Sequence, residues 1–170
     1  MARPSLKVET MTQTNTSVSQ LSRVPWPPVL LVSVVAGATG LAQIIPLAWP
    51  GVDDAATRLV GYAFGLAGAG LFVWSAATLR RHGTTARPDR PASVLVTDGP
   101  FRFRRNPIYL AHLLMLLGLA EITKNVWVAI LVVPYAALVT WLAILPEERQ
   151  LEDQFGDTYR DYKERTRRLL

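Results

Sequence analysis

The chain has no cysteine at all and only two histidines. The first absence removes disulfides, Cys-ligated zinc or iron–sulfur sites and thiol nucleophiles from the available chemistry. His82 and His112 stand far apart with no ligand spacing around them, so no metal site is expected. A glycine-rich phosphate loop is missing too, because Gly61, Gly65, Gly68 and Gly70 lie inside an apolar run that no strand precedes. There is no nucleophile elbow of the Gly-x-Ser-x-Gly kind. The first residues are rich in Ser, Thr, Gln and Asn and lack the short apolar core and cleavage site of a secretory signal. Residues 1–25 are therefore expected to form a disordered cytoplasmic tail.

What is abundant is apolar. Of 170 residues, 50% are hydrophobic, more than a soluble domain of this size carries. Four apolar segments stand out: Val29 to Trp49, Leu59 to Leu79, Ile108 to Thr123 and Val126 to Leu145. Crossing a hydrocarbon core takes roughly 20 helical residues, which the first, second and fourth segments supply. The third is short and is expected either to cross with little tilt or to form a tight hairpin with the fourth through residues 121–125. Trp26, Trp49 and Trp127 fall near segment ends, where amphipathic rings favour the interface. The expected fold is an all-α membrane protein with about four transmembrane helices (29–49, 59–79, 108–123 and 126–145). A loop over 80–107 and an amphipathic C-terminal helix over 146–168 complete it, and residues 26–170 form one membrane-embedded domain.

A net charge of +5 and a pI near 10 are compatible with nucleic-acid binding, but the basic residues cluster beside the apolar segments instead of spreading over a polar face. Sixteen of the eighteen Lys and Arg precede the first segment, lie between the second and third, or follow the fourth. Membrane orientation explains this pattern: both termini and the middle loop are expected to be cytoplasmic, in a bacterial-type inner membrane, with membrane lipids and no nucleic acid as partners.

Two polar stretches on that side hold the chemistry. In the first, Asp98-Gly-Pro signals a turn and Asn106-Pro107 a helix start, with Asn able to cap. Arg102, Arg104 and Arg105 precede that helix N-terminus, a place favourable to anions. They serve either as headgroup anchors or as part of a site that Tyr109 joins one turn on. In the second stretch, Leu151, Phe155, Tyr159 and Tyr162 make one stripe of an amphipathic helix, which Gly156 bends. Such a stripe suits a surface helix with packing aromatics as well as a ligand pocket. Glu147 and Glu148, read as the end of the fourth membrane helix, would sit at the negative end of its dipole and call for a positive partner, either a nearby arginine or a cationic ligand group. His112, inside the third helix, is either a hydrogen-bonded packing residue or a polar group facing a cavity, with packing preferred.

In this order, these residues resemble the isoprenylcysteine carboxyl methyltransferase family and its relatives among the phospholipid N-methyltransferases. The resemblance spans Gly83 to Leu170 and rests on three linked pieces: residues 95–109 (LVTDGPFRFRRNPIY), Glu147-Glu148 after a helical hairpin, and residues 155–162 (FGDTYRDY) before a basic end. It implies an integral membrane enzyme that transfers a methyl group from S-adenosylmethionine to a lipophilic small-molecule or lipid acceptor at the cytoplasmic face. By the same resemblance Asn106, Tyr109, Glu147, Glu148, Tyr159 and Tyr162 line the cofactor pocket, and Arg105 and Glu148 are the groups expected to serve catalysis. Many relatives have His where Asn106 stands, and Asn cannot take a proton near neutral pH. Two alternatives remain open: a sterol-reductase-like enzyme using a nicotinamide cofactor, although such enzymes generally have more than four spans, and a membrane partner subunit that binds no cofactor.

Overall fold

The computed structural model describes residues 25–84 and 93–169. The tail before Pro25, the loop positions Arg87 and Arg90, and Leu170 lie outside the described residues. Helix α1 (Trp26–Ile44) opens on Pro27 and Pro28, whose fixed φ and missing N–H suit a first turn. It stops where Pro46 follows, because proline disfavours helical backbone in the residue before it, and Ile45 has φ −130°. The first span is thus shifted towards the N-terminus relative to the expected 29–49. Trp49 falls in the connecting loop, with the Lys124 ammonium 5.3 Å from its ring centroid.

Helix α2 (Ala55–Arg81) begins earlier than its apolar run because Asp54 builds a capping box. The Asp54 carboxylate accepts from the Thr57 N–H at 2.8 Å and Thr57 Oγ1 accepts from the Asp54 N–H at 3.3 Å. Helix α3 (Pro107–Thr123) packs along α2 through glycines: a Cβ placed on Gly118 would lie 2.7 Å from the Gly61 carbonyl and 2.6 Å from the Gly65 amide nitrogen. At 17 residues α3 is about 25 Å long, short of a full span. Lys124, in left-handed backbone at φ 52°, ends it, and Asn125 caps α4 (Val126–Val139) by accepting the Trp127 N–H at 3.0 Å. The expected hairpin is therefore present.

The fourth span differs from the expected 126–145. Helix α4, a π turn over Thr140–Ile144 and helix α5 (Leu145–Phe155) run on as one apolar-to-polar helix of 30 residues. The expected boundary between a helix over 126–145 and another over 146–168 is absent, although Pro146 stands there. The π turn accommodates it: the Leu145 N–H reaches the Thr140 carbonyl five residues back, and a proline with no N–H follows without ending the helix. Glu147 and Glu148 therefore lie inside a helix and not at a negative helix end. The break comes at Gly156 (φ 52°), as its sequence position suggests, and α6 (Asp157–Arg165) follows.

Among the described residues three helices are long and apolar enough to cross a membrane and α3 is a shorter apolar one, so the chain is an all-α membrane protein with an amphipathic C-terminal segment. The helices pack in the order α2, α3, α4, α1, with α1 against α4 and the π turn and α2 against α3. The buried core lies between α1, α3 and α4, around Leu116, Val128, Tyr135 and Val139.

Candidate functional site

The site grows from the segment between α2 and α3. His82, just past α2, meets Asp98 at 2.9 Å and so ties the two ends of the polar loop together. A 3-10 turn over Gly99–Arg102 follows. Gly99 (φ 55°) lies so close to α2 that a Cβ there would be 2.8 Å from Thr78 Oγ1. Phe101 is thereby held under α6, where its carbonyl accepts the Tyr162 hydroxyl at 2.6 Å.

Asn106 precedes Pro107 at the N-terminus of α3, but the expected side-chain cap is not made. Its amide instead donates to Glu148 Oε1 at 3.3 Å and to the Arg168 carbonyl at 3.4 Å, and the fixed φ of Pro107 starts the helix without it. Arg105 is more deeply committed. Its Nε donates to Glu148 at 3.1 Å, its Nη1 to the Lys163 carbonyl at 2.8 Å and to the Thr166 carbonyl, and its backbone N–H to the Arg167 carbonyl at 2.9 Å. Arg168 closes on the same carboxylate from the other side at 2.8 Å. Glu148, 5% exposed, is thus the hub of two arginines and an amide. These are the positive partners that its charge called for. The Arg104 side chain bonds the neighbouring Phe103 carbonyl, and its backbone pairs with Arg167 in an isolated parallel bridge.

Glu147, one residue earlier on the helix, points elsewhere. It accepts the Tyr109 hydroxyl at 3.0 Å. Both residues border a cavity of about 410 Å³ at the polar end of the bundle, and Arg105, Asn106, Tyr159 and Tyr162 border it too. Phe72, Ala76 and Leu79 of α2 form one wall, and Pro25, Pro27 and Pro28 at the start of α1 contribute another. Glu148 is absent from this surface and lies behind it, so the expectation that it touches the cofactor gains no support from its placement. The other five expected pocket residues, Asn106, Tyr109, Glu147, Tyr159 and Tyr162, do share one cavity.

Tyr159 borders the cavity as well and keeps a polar atom unpaired. The residue is 1% exposed and its hydroxyl has no partner among the described residues. A buried hydroxyl without a hydrogen bond is costly, and it costs less when a ligand atom completes it. Burial pushes the Tyr162 hydroxyl up to about 12 and raises that of Tyr159 as well, so both stay protonated donors at neutral pH. His112 also lines the cavity, deeper along α3. Its Nδ1 shares a 2.8 Å hydrogen bond with the Tyr135 hydroxyl and its ring stacks on Phe72 at 5.8 Å, so it both packs and faces the cavity. Arg168 and the chain over 166–168 were visible in the sequence only as a basic end. No periodicity marks a strap that docks through backbone carbonyls. Among the described residues no cluster of His, Asp or Glu is arranged to hold a metal ion.

Residues 56–158 match the family model for phospholipid methyltransferase, well over half of the chain. The chain belongs to the phospholipid methyltransferase family. It is therefore a membrane methyltransferase by descent, and the matched region takes in α2, α3, the π turn, both glutamates and the bend at Gly156. No curated protein and no solved structure matches it. The family match agrees with the methyltransferase resemblance and not with a reductase or a cofactor-free subunit.

Proposed function

We propose that this protein transfers a methyl group from S-adenosylmethionine to a lipophilic acceptor at the cytoplasmic face of its membrane. The cavity carries this reading: a carboxylate, an amide and an arginine border it, beside Tyr159, whose buried hydroxyl has no partner among the described residues, and its volume of about 410 Å³ suits a ligand of nucleoside size. The donor set fits such a ligand. Glu147, with Tyr109 hydrogen-bonded to it, offers a carboxylate to an ammonium or to ribose hydroxyls. Tyr159 offers a donor, and Phe101 and Leu151 offer apolar surface for a base. When bound, S-adenosylmethionine supplies an electrophilic methyl group on a sulfonium.

The chain's own residues then have three tasks. Glu147 and Tyr109 orient the ligand along α3, with Asn106 beside them. Glu148 holds Arg105 and Asn106 in place from behind while Arg168 neutralises its second oxygen. Phe72, Ala76 and the prolines of α1 exclude water from the far end of the cavity. A lipophilic acceptor has a side route, because α1 and α2 lie at opposite ends of the helix row yet both border the cavity. The clustering of Arg and Lys at this end of the bundle supports a cytoplasmic orientation for the site and both termini.

The test is calorimetric titration of the detergent-purified protein with S-adenosylmethionine and with its demethylated product. Saturable binding that Glu147→Gln and Tyr109→Phe each weaken at least tenfold is the expected result. No binding to folded wild-type protein would refute the reading.

A further inference from the structure

Methylating a carboxylate needs no proton removal, whereas methylating an amine or a hydroxyl does. Most side chains around the cavity are poor candidates for that task. Asn106 is not a base near neutral pH, Arg105 is bound to Glu148 and two carbonyls, and Tyr159 and Tyr162 hold their protons. Glu147 is engaged by Tyr109. His112 is different: Nδ1 is taken by Tyr135, and Nε2 has no partner among the described residues although the ring borders the cavity. Asn106, Tyr109 and His112 follow one another at three-residue spacing and so share a face of α3 that runs from the polar end into the membrane. His112 is the innermost of the three, on the side from which an acceptor dissolved in the bilayer arrives.

We propose that His112, oriented by Tyr135, accepts the proton released by the methyl acceptor, and that this acceptor is a nucleophile that arrives bearing a proton and not a carboxylate. The proposal rests on the methyltransferase reading of the cavity. In the balanced step the lone pair of the nucleophile X–H bonds to the methyl carbon and the carbon–sulfur pair stays on sulfur. The X–H proton passes to Nε2. The step requires that Nδ1–H donate to the Tyr135 oxygen across their 2.8 Å contact, the tautomer that leaves Nε2 free, and the same bond steadies the ring once it is charged. The groups facing the ring are Phe72 from α2, Tyr109 from its own helix and Tyr135 from α4, and Glu147 of α5 borders the same cavity. Among the described residues that line the cavity, Glu147 is the carboxylate on hand to favour the charged ring.

Nitrogen-15 NMR of the full chain in detergent reads the tautomer directly, since there are only two histidines and His82→Gln assigns them. A protonated Nδ1 and a bare Nε2 are expected, with the preference lost in Tyr135→Phe. A protonated Nε2 in the wild type would overturn the proposal, and this arm needs no acceptor. The second arm follows turnover with phosphatidylethanolamine in mixed micelles and with hexadecylamine. His112→Gln should lower kcat about 100-fold at neutral pH, leave S-adenosylmethionine affinity within about twofold, and lose less at each higher pH as the amine sheds its own proton. Undiminished turnover, or a loss equal at every pH, overturns the proton-acceptor role. Failure of the wild type to bind S-adenosylmethionine would instead strike the cofactor reading.

Discussion

Glu147 and Glu148 are adjacent, identical in chemistry and opposite in surroundings, so neutralising each should give opposite phenotypes. Glu148→Gln keeps the shape but sets an amide against three donors. The pair that matters most is with Arg105, where both side chains are nearly closed to solvent at 9% and 6% exposure. Breaking a buried pair by removing one partner costs roughly 3–5 kcal/mol. Arg105 keeps its two carbonyl acceptors, which argues for the low end, about 3 kcal/mol. Arg168 is 40% exposed, so its share is screened to below about 1 kcal/mol. For a chain of this length about 3 kcal/mol corresponds to a fall in Tm of roughly 6–12 °C, read by circular dichroism in detergent. The same loss should loosen residues 166–169 and hasten proteolysis after Lys163 or Arg165. Glu147→Gln, which removes one hydrogen-bond acceptor at a cavity wall, should cost about 1 kcal/mol or less in stability and abolish ligand binding. The reasoning is refuted if Glu148→Gln melts within about 2 °C of wild type while losing S-adenosylmethionine as completely as Glu147→Gln does.

Tyr159→Phe should raise the stability of the ligand-free protein by about 1 kcal/mol, because it deletes a buried hydroxyl with no partner, and should weaken S-adenosylmethionine roughly tenfold. Melting and calorimetry on the same sample check both signs, and a destabilised variant with full affinity would contradict the assignment. Gly118→Ala places a methyl 2.6 Å from the Gly65 amide and should cost about 1–3 kcal/mol through separation of α2 and α3, whereas Gly70→Ala, with open space around it, should be neutral or slightly stabilising. The cap at Asp54 carries a pH signature. The Thr57 N–H holds its carboxyl below the usual range, so the cap contributes above the unfolded carboxylate pKa and is lost as pH falls through the lower folded value. Asp54→Ala should remove that acid-side dependence in a melting series from pH 6 to pH 3.

How much of this was legible depended on whether the signal was local. The spans were readable because lipid demands long apolar runs, and the hairpin because Lys124-Asn125 leaves room only for a tight reversal. The gathering of Asn106, Tyr109 and Glu147 was readable through the order of the motifs. Boundaries set by proline chemistry were less so. Pro46 pulls the end of α1 back to Ile44, while Pro146 is absorbed by a π turn, and nothing in a hydropathy pattern separates the two outcomes. Asn106 followed by Pro reads as a cap, yet its amide serves Glu148, which lies forty-two residues on and becomes a neighbour only after folding. The docking of residues 166–168 is shared between the Arg168 side chain on Glu148 and the backbone carbonyls of Thr166, Arg167 and Arg168, and the carbonyls leave no trace in side-chain identity.

The unbroken helix from Val126 to Phe155 explains why the site can exist at this depth. Thirty residues give about 45 Å of helix, some 15 Å more than a hydrocarbon core, so α5 stands clear of the lipid as a rigid wall and not as a tether. Successive residues on a helix point about 100° apart, so one wall presents Glu147 to the cavity and turns Glu148 into the protein. A helix ending at Leu145 would have left both carboxylates on a flexible segment, where neither could be aimed. The π turn delivers this wall in register with the start of α3, so that Glu147 meets the Tyr109 hydroxyl at the edge of the cavity.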